Sequence, residues 1–290
     1  MNEPKKIKLF ATRDFSENFD LALTFIKQNY GTVLKSLCLL IPVILVTVFL
    51  TPNTNNISTD VYNYDDVWDL YGQIFTFGYF IAVFFSIMTS LLGYTFVVAY
   101  MAEYTKTTNG VVKASDVWSR VLNVVLPVLL CSIIFAILVS IGSILCIIPG
   151  IIVYNYLGFY IYVYVNEKRG VIESFQRSFE LVQGNFWSTL GMGIVFLILV
   201  IIGSIIFLIP SYLSAFGVLI GIDFLSSDIY VYMANLIGSL GQFILMPILY
   251  MAMGVVYYSL RNQSEMIDED SEIDSIGAHN QEEDNTSYLP

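Results

Sequence analysis

The chain has 290 residues, 56% hydrophobic and 13% charged, far from the roughly half-apolar, quarter-charged balance of a soluble domain. The formal charge of −11 does not indicate an acidic soluble protein. After Arg261 the chain carries Glu265, Asp268, Glu269, Asp270, Glu272, Asp274, Glu282, Glu283 and Asp284 without one Lys or Arg, so the charge describes a tail, not a fold.

Residues 1–13 read as a basic, mobile leader carrying Lys5, Lys6, Lys8 and Arg13, and the first apolar run begins too late for a signal peptide. Asp14 followed by Glu17 has capping-box spacing. Phe15, Phe19, Ala22 and Ile26 then recur at helical spacing, predicting an amphipathic helix along the membrane surface.

Six spans are expected, at 33–50, 70–100, 121–147, 151–165, 190–209 and 229–260. The first is about 27 Å long as a helix, close to the hydrocarbon thickness, and Pro42 should bend it. The second is long enough to require tilt or projection into water. Before the third, Ser115 is placed to cap a short interfacial helix carrying Val117, Trp118 and Val121. Ile148-Pro149-Gly150 is expected to turn the chain, and 210–228, with Gly217 and Gly221, reads as a loop or re-entrant segment.

The fourth span has tyrosines at 154, 156, 160, 162 and 164. Alternation of the last three suggests a barrel strand, but the residues between them, Ile161, Val163 and Val165, are apolar where a lumen needs polar ones. As a helix, the span puts Tyr156, Tyr160 and Tyr164 on one face. A second amphipathic helix follows Gly170, with Ile172, Phe175, Phe179, Val182 and Phe186 as its apolar stripe.

With six crossings, every Lys and Arg falls on one side of the membrane, which places both termini in the cytoplasm and the chain in the plasma membrane. Phe19, Ile26 and Tyr30 are spaced as Phe175, Val182 and Phe186 are, and both sets pass through an Asn-aromatic pair into a span. The expected architecture is therefore all-α and integral to the membrane. Its unit, an interfacial helix plus an out-and-back hairpin, is used three times in parallel to give a pseudo-threefold bundle. The 262–290 tail reads as acidic and disordered.

Three stretches carry a family resemblance: the Ile148-Pro149-Gly150 turn; Glu167, Gly170, Glu173, Ser174, Arg177 and Ser178 leading to Gly184-Asn185-Phe186-Trp187; and the ending Tyr257-Tyr258-Ser259-Leu260-Arg261. Over roughly residues 14–265 the chain resembles the bacterial membrane domain that accompanies some glycerophosphoryl diester phosphodiesterases, and related uncharacterised six-span families. The resemblance implies fold and location. The diesterase chemistry belongs to a separate soluble domain that uses histidines and metal-binding carboxylates, and it does not carry over to a sequence whose one histidine is His279 in the tail.

No catalytic residue, metal site or cofactor is expected: Cys38, Cys131 and Cys146 lie in apolar runs without CxxC spacing and read as small apolar residues. The spans hold essentially no charge, which argues against a proton-coupled transporter, a voltage sensor or an intramembrane protease. Asn155, Asn235 and Gln242 are the candidate intramembrane polar residues, read first as interhelical hydrogen bonds and second as a solute pathway. Glu167, Lys168, Arg169, Glu173 and Arg177 form the candidate contact with lipid or a partner. The three cations suit lipid phosphate, but Glu173 and Arg177 as an i, i+4 pair favour a structural brace. The preferred function is a non-enzymatic protein that organises membrane lipid, or protein partners reached through its surface helices and tail; the alternative is a transporter or channel for an apolar or zwitterionic solute. No nucleic-acid partner is expected.

Overall fold

A computed structural model describes residues 6–52, 68, 71–72 and 74–266, and every regular element among them is helical. Helix α1 (Phe15–Leu37) passes through one 3-10 turn, Cys38–Leu40, into α2 (Ile41–Leu50); α3 (Phe77–Lys106), α4 (Ala114–Leu145), α5 (Ile147–Leu157), α6 (Tyr160–Glu167), α7 (Val171–Val182), α8 (Phe186–Ile220), the single turn α9 (Asp223–Ser226) and α10 (Asp228–Glu265) follow. Six stretches are long and apolar enough to cross a membrane: Phe15–Leu50, Phe77–Lys106, Ala114–Leu145, Ile147–Glu167, Phe186–Ile220 and Asp228–Glu265. The protein is an all-helical, multi-pass membrane protein. Its exposed surface is correspondingly oily: Leu126, Leu130, Ile133, Ile137 and Ile141 on α4 and Ile201, Ile205 and Ile206 on α8 all point outward.

Helix α10 is the hub, packing on α1, α2, α3 and α8. The core is thickest where α10 meets α3 and α6, around Met101, Tyr104, Tyr162, Tyr257 and Tyr258. Burying so many phenols requires partners for their hydroxyls. Tyr100 donates to Asn29 Oδ1 (2.9 Å), Tyr162 to the Tyr250 carbonyl (2.6 Å), Tyr258 to Asn166 Oδ1 (2.7 Å) and Tyr257 to Glu167 Oε1 (2.9 Å).

Several expectations from the sequence need correction. The first amphipathic segment is not a separate surface helix, because α1 runs unbroken through Asn29-Tyr30-Gly31 into the span. Asn29 Nδ2 returns to the Phe25 carbonyl (3.0 Å) within the helix, and Tyr30 donates to the Ile244 carbonyl (2.8 Å), tying it to α10. The Ser115 segment likewise forms the first turns of α4. Only α7 is a separate helix, since Gly184 at φ +90° breaks the chain before α8. The leader is not loose over its described part: Ile7 and Leu9 are buried, Ile7 N–H donates to Tyr104 Oη (2.9 Å), and Lys6 Nζ donates to the carbonyls of Thr105 and Thr107 at the end of α3. Residues 1–5, most of the 51–69 loop and 267–290, hence the acidic tail, lie outside the described residues.

The Ile-Pro-Gly motif is not the turn. The chain reverses two residues before the motif, at extended Cys146, and Pro149 sits in the first turn of α5, where its missing N–H has no helical partner to lose. Gly150 permits contact between the two helices, because a Cβ there would lie 2.2 Å from Ser143 Oγ. The fourth span breaks at Gly158–Phe159 into α5 and α6, and Ser178 of α7 closes the break. Its hydroxyl accepts the Phe159 N–H (3.1 Å) and donates to the Tyr156 carbonyl (2.8 Å). Beyond the fifth span, the expected loop is helical through Pro210 to Ile220, and Gly217 lets α9 pack against α8.

Candidate functional site

The charged junction is built by the ends of three helices. Lys168 in the left-handed region (φ 54°) ends α6, and the Glu173 carboxylate accepts the Gly170 N–H (3.1 Å) to start α7. Glu173 therefore caps its helix and does not brace Arg177, as the i, i+4 spacing had suggested. Arg177 instead points inward: Nε donates to Glu167 Oε2 (3.2 Å), one terminal nitrogen to Ser264 Oγ (3.1 Å), and the other to Glu265. Glu167, with a side chain only 4% exposed, also accepts from Arg169 Nε (2.9 Å), while Arg261 pairs with Glu265 (2.9 Å). Burial opposes the Arg177 charge, but the carboxylates of Glu167 and Glu265 outweigh it and hold its pKa above the ordinary arginine value. The cluster is a latch joining α6, α7 and α10.

Arg177 is thus occupied by protein carboxylates, whereas Lys168 and Arg169 are exposed. They line a cleft of about 500 Å³ with Glu103, Lys106, Asp116 and Arg120; within it Arg120 bonds Glu103 and the Val165 carbonyl (2.6 Å). The tyrosine face of α5 and α6 meets α7 directly. Tyr156 stacks on Phe179 (4.6 Å) and Tyr160 on Phe175 (5.2 Å), while Ile172 and Trp187 face outward.

A second constellation lies between the helices. Two adjoining cavity lobes, about 240 and 590 Å³, run between α2, α3, α8 and α10 and share Thr47, Ser86, Ser239, Gln242 and Met246. Asn235 lines the larger lobe with Thr51, Tyr79, Ser204 and Ser211; Thr89, Ser90 and Tyr250 line the smaller. None of the lining residues is Asp, Glu, Lys, Arg or His. Thr89 Oγ1 is buried without a hydrogen-bond partner at this wall. Asn235 and Gln242, seven residues apart on α10, thus face one space, while Asn155 is separate and donates to the Phe186 carbonyl (3.1 Å). The hydroxyls were not singled out in the sequence, though Ser86, Thr89, Ser90 and Gly93 recur at helical spacing within the second span.

The family described as "Domain of unknown function (DUF7847)" matches residues 63–259, roughly two thirds of the chain. The chain belongs to this family. The matched residues include α3 and the Glu167–Arg177 side of the latch; α1, α2, Arg261 and Glu265 lie outside them. No curated protein and no solved structure matches the chain.

Proposed function

We propose that this is a non-enzymatic transporter or channel for a small uncharged or zwitterionic solute, which passes through the cavity between α2, α3, α8 and α10. The observation that carries the reading is the set of polar groups in that wall: hydroxyls and amides set among apolar residues such as Val48, Val200 and Leu208, with Gln242 common to both lobes and Thr89 left with an unpartnered hydroxyl. A buried hydroxyl without a partner is costly unless water or a ligand meets it, so the wall suits a hydrated space. Neutral donors and acceptors can replace the hydration shell of a neutral solute, and none of them titrates as a general acid or base near neutral pH. A bare ion would find no compensating charge among them.

The test uses a chain with Cys38, Cys131 and Cys146 replaced by Ala, carrying Ser239→Cys in the cavity or Ile237→Cys on the outer face. A small water-soluble thiol reagent should modify Cys at 239 much faster than at 237. Equal, slow modification of both would remove the hydrated pathway.

A second reading, organisation of lipid or protein partners at the cytoplasmic face, draws on the outward-facing Ile172 and Trp187 beside exposed Lys168 and Arg169. Affinity capture in mild detergent with and without residues 262–290 tests it; recovery of neither lipid nor partner would count against it. Both readings place the Lys- and Arg-rich end, and with it both termini, in the cytoplasm. Kinship with the membrane domain of glycerophosphoryl diester phosphodiesterases is proposed on the Glu167–Trp187 and Tyr257–Arg261 stretches, which meet in the latch.

A further inference from the structure

Beyond the stacked rings of Tyr94 and Tyr250 (centroids 4.2 Å apart, planes at 15°) lies a separate cavity of about 440 Å³ with a predominantly apolar wall. Its sides come from α5, α8 and α10 and the end of α4. The geometry points to a binding site for one acyl chain of a membrane lipid, with the ester carbonyl of that chain held by Thr189.

Three observations meet here. First, Ile151 and Tyr154 of α5 and Ile194 and Leu197 of α8 line the cavity and are also exposed. The cavity therefore opens sideways between α5 and α8, within membrane-spanning helices, where the medium it meets is hydrocarbon chain and not water. Second, Thr189 lines the cavity, is 1% exposed, and its Oγ1 has no partner. Helical Thr24, Thr47 and Ser132 each return their hydroxyl to the carbonyl four residues back, but Thr189 does not, although its N–H bonds the Asn185 carbonyl (3.0 Å). Its free donor needs an acceptor that a hydrocarbon chain lacks and an ester carbonyl supplies. Third, depth is consistent with this. Thr189 lies three residues into α8, beside Trp187 and the charged end, at the level where lipids carry their ester groups, and Leu197 lies about 12 Å deeper along the helix. Gly193 between them leaves the middle open, since a Cβ there would come no nearer than 3.8 Å to Met253. This site shares Tyr250 and Leu197 with the walls of the solute cavity, but its argument does not depend on solute passage.

The test reconstitutes the full chain in bilayers containing phospholipid with a photoactivatable diazirine in the acyl chain and maps the labelled residues by mass spectrometry. Label is expected on the inner wall at Phe159 and Met253. Gly193→Phe should fill the space and cut that label about tenfold while leaving label on lipid-facing Ile137 and Ile141 unchanged. Thr189→Val, nearly isosteric and safe for folding, should weaken inner-wall labelling by a diester lipid about fivefold, the loss of one neutral hydrogen bond, and leave labelling by a diether lipid unchanged. Label confined to Ile137, Ile141 and other outward residues, with none at Phe159 or Met253, would overturn the site. Equal labelling of the unsubstituted chain by diester and diether lipid would overturn the role of Thr189.

Discussion

Replacing Arg177 with Met tests whether the charged cluster is a latch. The substitution keeps the length of the stem and removes the bonds to Glu167, Ser264 and Glu265. Breaking a buried ion pair by removing one member costs about 3–5 kcal/mol, because the other charge is left uncompensated. Here the lower end applies, about 3 kcal/mol, since Glu167 keeps Arg169 Nε and the Tyr257 hydroxyl, both at 2.9 Å. The loss falls on the attachment of α7, so protection of the Val171–Val182 amides against hydrogen exchange should drop by about 10²-fold, with the interior of α10 changing far less. A Glu167→Gln, Arg177→Met double variant should cost clearly less than the sum of the single variants, by about 1–3 kcal/mol of coupling. The sign of the pH dependence follows from the raised pKa of Arg177. Its contribution is complete below the ordinary arginine value and is lost only as pH rises through the higher folded one, so protection factors in α7 should be unchanged by Arg177 titration between about pH 7 and 10. Unaltered exchange in α7 after Arg177→Met would refute the latch.

The other predictions concern packing and backbone. Gly241→Ala should destabilise the protein by about 1–3 kcal/mol, because the new Cβ would lie 2.3 Å from Phe207 Cβ, whereas Gly238→Ala, whose nearest neighbour is Leu208 at 3.6 Å, should be tolerated; thermal unfolding in detergent compares them. Tyr100→Phe should cost about 1–2 kcal/mol by leaving Asn29 Oδ1 without its donor, again read from unfolding. Gly184→Ala should strain the φ +90° junction and lower the melting temperature, while Gly31→Ala, inside α1 with no neighbour within 4 Å, should hold or raise it.

The six spans and the all-helical class were legible because hydrophobic run length and capping chemistry are local. Asp14 and Glu17 do form the capping box that their spacing suggests. Helix ends were less legible, because glycine and proline act through what they touch. Gly31 passes unnoticed inside α1, Gly184 breaks the chain, and Pro149, expected within a turn, lies in the first turn of a helix. The charged junction was found as a group, but its pairing was not. Glu265, the partner of Arg177, lies 88 residues away at the end of α10, and no i, i+4 rule reaches it. The apolar stripe of α7 was legible in part: Phe175 and Val182 are buried, but Ile172 faces outward and Phe186 belongs to α8; Arg177 and Ser178 are buried as well, because the broken fourth span offers them carboxylate and backbone partners. Asn235 and Gln242 stood out as amides. Thr89 and Ser239 did not, since small hydroxyl residues become a polar wall only when four helices bring them together.

Flux through the cavity tests the proposal most directly. Proteoliposomes containing the full chain should pass small neutral polyols or zwitterionic amino acids faster than empty vesicles and faster than anions or cations of similar size. The Asn235→Leu, Gln242→Leu variant, which replaces both amides on the α10 wall without adding charge, should bring that flux close to the empty-vesicle rate while folding normally. Equal flux in the variant and the unsubstituted chain, or no flux of any neutral or zwitterionic solute above empty vesicles, would contradict it.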